Sequence, residues 1–488
     1  MLSRPFQSTV MRGLFVFITA AASGGPQAVH AEDPSPPNIV LVMADDMGYG
    51  QTGYYSHPVL KTPNLDAMAA NGLRFDRFYA GASNCSPTRS TVMTGRTNDR
   101  TGVQNHGVPM RPQEITIAQL LSAGGYATAH FGKWHLNGLR GPGAPILQDD
   151  IRSPGRFGFQ HWLSVTNFFD RDPILSRMGK FEEFRGDSSD IIVAEALKYI
   201  TQQAAVKQRF LTVIWYGSPH SPFAAAEDDR RDFPDLNSAS SNHYGELVAM
   251  DRSLGTLRSG LRELGIADHT LVWFCSDNGG LPEIKPETVG GLRGFKNTLY
   301  EGGLRVPCVI EWPDRIRQPR VTEYPAGTVD ILPTVLELAG LPLPERPLDG
   351  LSLVSLFNQD QPRRSQPLGF RHADRAAWID NNYKLVKPDA RSNSWELYDV
   401  DADRAETVDL SDRHPDIAER MLKEWTKWNS GVENSVAGKD YPEGEVQPPD
   451  PGPRSWPETA EYRPWLNEWK DRPEFKRYIK PEHLKSAR

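Results

Sequence analysis

The chain has 488 residues, a formal charge of −7 and 38% hydrophobic residues, with Trp, Phe and Tyr spread along it. That length suggests two or three structural units with a large buried core. Mild acidity speaks against a nucleic-acid partner, which favours a basic stripe. It leaves an anionic substrate open, because local clusters set the field in a cleft.

In chain order, Arg4 and Arg12 supply positive charge ahead of an uncharged apolar run that extends from Gly13 into Ser23. Val29-His30-Ala31 then offers small residues for cleavage. The run is shorter than the roughly 20 residues that cross a bilayer. Residues 1–31 therefore read as a signal peptide, and the chain as exported (periplasmic or secreted) with no stable membrane span. Asn38 to Met43 is a buried-strand pattern, and Thr62-Pro63 starts a helix that Gly72 ends. Ile115–Ser122, Asp190–Ile200 and Asn242–Leu264 read as helices; Tyr126–Phe131, Phe210–Trp215 and Thr270–Phe274 read as strands. Strand–helix alternation of this kind implies an α/β fold, with a largely parallel central sheet sandwiched by helices. The alternation stops near Leu341-Pro342. Beyond it, Arg375–Asp380 and Tyr383–Val386 flank Asn381-Asn382, a hairpin signal, and Pro415–Trp428 is helical. The expected division is a catalytic α/β domain over 37–345, a smaller C-terminal α+β subdomain with an antiparallel sheet over 346–430, and an extended tail over 431–488.

Sites in parallel sheets lie beyond the carboxyl ends of strands. Asp45-Asp46 directly follows the first strand and Asp277-Asn278-Gly279-Gly280 follows another. Alone, the acidic pair fits a helix cap or a solvated turn equally well. Together, the three carboxylates and one amide form a hard-oxygen donor set suited to a divalent cation. Their surplus negative charge calls for nearby cations. Lys133 and His135, His220, and Lys296 all stand at strand ends or in a Gly-rich loop. Of the three cysteines, Cys275 and Cys308 sit in apolar runs and read as buried. Cys85 instead opens Cys85-Ser86-Pro87-Thr88-Arg89, at a helix start near the surface, with Arg89 one turn on.

Cys-x-Pro-x-Arg continued to Thr94-Gly95 resembles the signature of the type I sulfatases, in the alkaline phosphatase-like superfamily. Ala44-Asp45-Asp46-Met47-Gly48, Gly132-Lys133-Trp134-His135, Pro219-His220, Ser276-Asp277-Asn278-Gly279, and Lys296 with Glu301-Gly302-Gly303 match family segments in order. The likeness covers about residues 37–430; Thr88 stands where Ser or Ala is commoner. The resemblance implies that a formylglycine-generating or maturase enzyme converts Cys85 to formylglycine. It implies that Asp45, Asp46, Asp277, Asn278 and modified Cys85 hold calcium, with magnesium the alternative. Arg89 would steady the nucleophile, Lys133 and Lys296 would bind sulfate oxygens, His220 would protonate the leaving alcohol and His135 would hydrogen-bond the diol. The expected substrate is a sulfated small molecule or oligosaccharide, with aryl sulfates also accepted. Two rival readings are a phosphonate or phosphate-ester hydrolase on the same fold and a catalytically silent carbohydrate-binding protein. Candidate substrate contacts are Asn105-His106, Arg111, Arg371-His372 and the tail tryptophans.

Overall fold

The computed structural model describes residues 35–389 and 394–485. The expected signal peptide, residues 1–31, lies outside them. Ten strands form the main sheet: β1 (Asn38–Ala44), β2 (Leu73–Phe75), β3 (Ala127–Lys133), β4 (His161–Val165), β5 (Ile174–Arg177), β6 (Lys180–Glu183), β7 (Phe210–Trp215), β8 (Thr270–Ser276), β9 (Cys308–Glu311) and β10 (Arg320–Thr322). Their spatial order is β10-β2-β9-β8-β1-β7-β3-β4-β5-β6. The middle run β8-β1-β7-β3-β4 is parallel throughout, so four of the strand ends singled out above lie side by side. Antiparallel pairs flank it on both sides.

Strand β1 shows why both faces need covering. Ile39, Leu41 and Met43 point into one core with Trp215 and Trp273; Val40, Val42 and Ala44 point into the other with Ile214 and Phe274. The period of two sends neighbours to opposite faces. Helices α1 (Pro63–Asn71), α4 (Ser188–Ala205) and α5 (Ser238–Glu263) cover the second face; α2 (Cys85–Thr94), α3 (Ile117–Ala123) and α6 (Ile331–Ala339) cover the first. Helix α2 ends at Gly95, whose φ of 68° is the left-handed C-cap that glycine accommodates.

After the sheet comes a four-stranded antiparallel sheet, β11 (Leu368–His372), β12 (Arg375–Asp380), β13 (Tyr383–Lys387) and β14 (Glu396–Asp399). Asn381-Asn382 is the turn of its central hairpin. One face packs Phe370, Ile379 and Val386 on Tyr79 and Leu304; the other packs Leu385 and Leu397 on Met421 of α7 (Pro415–Val436). The tail departs from the extended form expected of it. It contains α8 (Arg463–Trp469), and Trp456, Tyr462, Trp469 and Phe475 form a buried cluster against Leu139, Ala144 and Ile174. Interspersed aromatics bury enough surface to fold a Pro-rich segment. Among the described residues no helix is long and apolar enough to cross a membrane.

Candidate active site

The carboxyl ends of β1 and β8 bring Asp45, Asp46 and Asp277 together with Cys85, their donor atoms all within 4.8 Å of one another and all four side chains buried. Asp46 adopts a left-handed φ of 64°, unusual for a non-glycine residue, and its N–H donates to Asp277 Oδ1 at 3.0 Å. Asn278 Nδ2 donates to Asp46 Oδ1 at 2.8 Å, while Asn278 Oδ1 is buried with no hydrogen-bond partner among the described residues. Three carboxylates converging beside an unpartnered amide oxygen fit a hard divalent cation. The site also needs Gly279: a Cβ there would stand 1.9 Å from the Gly302 carbonyl, so the Glu301-Gly302-Gly303 loop could not close on it.

Three cations answer the three carboxylates. Lys133 Nζ lies 2.5 Å from Asp45 Oδ2, Arg89 Nη2 lies 2.8 Å from Asp277 Oδ2, and Lys296 Nζ lies 2.5 Å from Asp46 Oδ1. Burial pushes the Asp46 carboxyl up, but Lys296 and then His220 outweigh it and hold the group well below the usual carboxylate range. Burial, then the charge of Asp45, pushes Asp277 up to about 7 against the pull of Arg89. The Arg89 guanidinium also sits 5.0 Å over the Trp215 ring, which fixes it beneath the sheet end.

Cys85 opens α2, but it is fully buried rather than near the surface as expected. Its Sγ donates to Asp45 Oδ1 at 3.5 Å. Burial pushes the thiol well above its ordinary pKa despite Lys133 and Lys296, so the unmodified group stays protonated and weakly nucleophilic. Thr88 fits without disturbance: its hydroxyl donates to the Ala82 carbonyl at 2.9 Å.

His135 has φ 56°, and both of its ring nitrogens are buried without hydrogen-bond partners among the described residues. Its ring meets that of His106 at 4.7 Å, and donor atoms of both lie within 4.8 Å of Cys85. His220 is mostly enclosed, with 13% side-chain exposure. Its Nδ1 donates to the Ser221 carbonyl at 2.6 Å, and Nε2 is 3.8 Å from Asp46 Oδ2. Burial lowers the His220 pKa to about 3, only partly offset by Asp46.

All the residues singled out for chemistry therefore converge on one place. The substrate-contact candidates do not. His106 joins the site. Arg111 pairs with Asp450 at 2.7 Å and donates to the Ser435 carbonyl, tying the tail down. Arg371 pairs with Glu433 of α7 at 2.6 Å. Trp456 and Trp469 are core residues, at 0% and 2% exposure. Sequence reasoning missed Phe168, whose ring lies flat on His220 at 4.6 Å and 7°. Its position just past β4, the fifth parallel strand end, was the available signal.

A mostly parallel sheet with an acid-rich cluster, balancing cations and a cysteine at a helix start defines an alkaline phosphatase-like hydrolase of anionic esters. The family profile for sulfatases matches residues 37–341, and that for the C-terminal part of N-sulphoglucosamine sulphohydrolase matches 294–429. The chain is 34% identical over 362 residues to human (Homo sapiens) arylsulfatase A, covering 66% of this chain and 68% of that protein. It is 33% identical over 419 residues to N-acetylgalactosamine-6-sulfatase of Canis lupus familiaris, covering 79% and 77%. The crystal structure of Ps i-CgsB in complex with k-i-k-neocarrahexaose superposes with a TM-score of 0.75 at 25% identity, covering 91% of this chain and all of that one. The chain belongs to the sulfatase family and is a sulfuric ester hydrolase.

Proposed function

We propose that the mature enzyme hydrolyses the sulfate ester of a carbohydrate, and aryl sulfates, at a formylglycine made from Cys85 by a maturation enzyme. The observation that carries this is the placement of Cys85: its sulfur shares a 4.8 Å cluster with three buried carboxylates at the first turn of a helix. A buried, protonated thiol is a poor nucleophile there, whereas a hydrated aldehyde offers two hydroxyls. One attacks sulfur; the other, once deprotonated, expels sulfate and restores the aldehyde. A serine would stop at the stable sulfate ester.

Asp45, Asp46, Asp277, Asn278 and modified Cys85 would hold calcium, whose hard-oxygen preference this donor set meets. When bound, the ion supplies Lewis-acid polarisation of a sulfate oxygen and acidifies the diol. Arg89 holds Asp277 in place and steadies the nucleophile. Lys133 and Lys296, already in the cluster, bind sulfate oxygens. His135, with its unpartnered nitrogens, hydrogen-bonds the diol and takes its proton. His220 donates a proton from Nε2 to the leaving oxygen, because Nδ1 is committed to the Ser221 carbonyl. A sulfate ester beside that ring raises its proton affinity, as an opposite charge does. The names of the relatives, an N-acetylgalactosamine-6-sulfatase and a neocarrahexaose-bound protein, support a carbohydrate substrate. The pattern from Arg4 to Ala31 supports export.

Mass spectrometry of the Cys85 peptide, with parallel assays on nitrophenyl sulfate and nitrophenyl phosphate, tests the reading. Formylglycine and a strong preference for sulfate are expected. An unmodified cysteine in active enzyme overturns the nucleophile, and preferred phosphate turnover overturns the substrate class.

A further inference from the structure

The structure holds a cavity of about 630 Å³ beside the active site, walled by residues 168–174 on one side and 468–478 of the tail on the other. We propose that it is a subsite for the sugar unit beyond the sulfated one, so that the enzyme acts on an oligosaccharide rather than a free monosaccharide. This rests on the sulfatase reading above.

Position comes first. Phe168 lines the cavity and also stacks on His220. Pro222 and Ala224, a few residues past His220, line it too. The cavity thus adjoins the flank of the site from which the leaving oxygen takes its proton. The sulfated sugar carries that oxygen and lies against His220. The cavity is lined by Phe168 and by none of the residues placed in the chemistry, so it stands one step further out, where the next unit of a chain would lie. The volume lies within the roughly 300–1,000 Å³ of small-molecule sites.

Chemistry agrees. Tyr478 brings an aromatic ring, on which the apolar face of a sugar packs, and a phenol that bonds hydroxyls. Arg171 and Arg477 are exposed at the lining, and among the described residues neither guanidinium has an ion pair or side-chain hydrogen bond. Their forked donors match vicinal oxygens or an acidic substituent. Arg472 is different: it is already engaged, with Glu474 at 2.5 Å, Glu183 at 3.2 Å and the Asp172 carbonyl at 2.6 Å. It braces the tail across the cavity. The wall is firm because Trp456, Trp469 and Phe475 behind it are at most 2% exposed.

The test compares kcat/KM of full-length mature enzyme on neocarrahexaose and a chondroitin 6-sulfate tetrasaccharide, on the matching monosaccharide sulfates, and on nitrophenyl sulfate. At least one oligosaccharide should exceed its monosaccharide by about tenfold or more, the scale of one charge-assisted hydrogen bond. Arg171→Ala and Tyr478→Ala should remove that advantage while nitrophenyl sulfate turnover stays at wild-type level. No oligosaccharide advantage in the wild type, or losses equal on nitrophenyl sulfate, overturns the subsite. Loss of nitrophenyl sulfate turnover by the wild type would instead strike the sulfatase reading itself.

Discussion

In the proposed mechanism the chemistry turns on Cys85 and His220. Cys85→Ala should abolish turnover of nitrophenyl sulfate. Because Cys85 is fully buried, a modest stability loss of about 1 kcal/mol is also expected, readable by thermal unfolding. Full activity in that variant would sink the nucleophile. His220 is separable from Lys133 by leaving group. A nitrophenolate departs unaided and a sugar alkoxide does not. General acid catalysis contributes about 10²–10⁴-fold, so His220→Ala should lose most of that on a sugar sulfate and little on nitrophenyl sulfate. Lys133→Ala should harm both alike, by roughly 3–4 kcal/mol, since the sulfate oxygens are common to both. Measured kcat/KM for the two variants on the two substrates decides it. Equal losses for His220→Ala would reassign that ring to sulfate or metal support.

At the scale of elements, the ends of β1 and β8 carry the proposed cation donors, and the Asp46 N–H to Asp277 hydrogen bond couples them. Removing the cation should therefore loosen both strand ends as well as stop turnover. Chelation is expected to lower activity and the melting temperature together, because a ligand of the folded state alone stabilises it. Asp277→Asn should weaken calcium binding in calorimetry by removing one charge from a hard-cation set. Unchanged activity and melting after exhaustive chelation would exclude the ion. Several strands were legible because their hydrophobic patterns are local: Phe210–Trp215 of the main sheet and Arg375–Asp380 of the small one fall where the periodicity puts them. Helix α5 starts at Ser238, before the apolar periodicity begins, because Asn237 caps it by accepting from Ser240 N at 2.9 Å.

The whole molecule is joined at a buried charge cluster. Lys384 on β13 reaches Glu301 at 3.0 Å and Glu406 at 2.9 Å, all three fully buried. Glu301 opens the loop that closes on Gly279, so the C-terminal sheet underpins the proposed cation site. Removing one partner from such a cluster costs about 3–5 kcal/mol, and Lys384→Ala should lose that in denaturant unfolding. Burial pushes Glu406 from its ordinary 4.5 up to about 7, with Lys384 opposing and Glu301 adding to the rise. A carboxyl raised on folding stabilises fully below its unfolded value and loses that contribution as pH rises through the folded one. Stability should therefore decline between about 4.5 and about 7, and Glu406→Gln should flatten that decline. An unaltered pH–stability curve in the variant would remove Glu406 from this role.

What the amino-acid sequence determined by itself was the family, the strand–helix alternation of an α/β fold, and the polar residues that follow its apolar runs. Each of these is written in short stretches: period-two apolar runs, a cysteine four residues before an arginine with a proline between them, acids directly following a strand. The strands at His161–Val165, Ile174–Arg177 and Lys180–Glu183 were not among those it marked. Only the tertiary structure decided which polar residues meet. Arg89 and Arg111 look alike in sequence, yet one faces Asp277 and the other holds the tail through Asp450. The tail tryptophans were open to either stacking on substrate or packing, and burial against Leu139 and Ile174 settled Trp456 and Trp469 as core. Phe168 reached His220 through the adjacency of β4, β3 and β7. These outcomes depend on long-range pairing and on competition among partners for a limited buried space, which no local window of sequence contains.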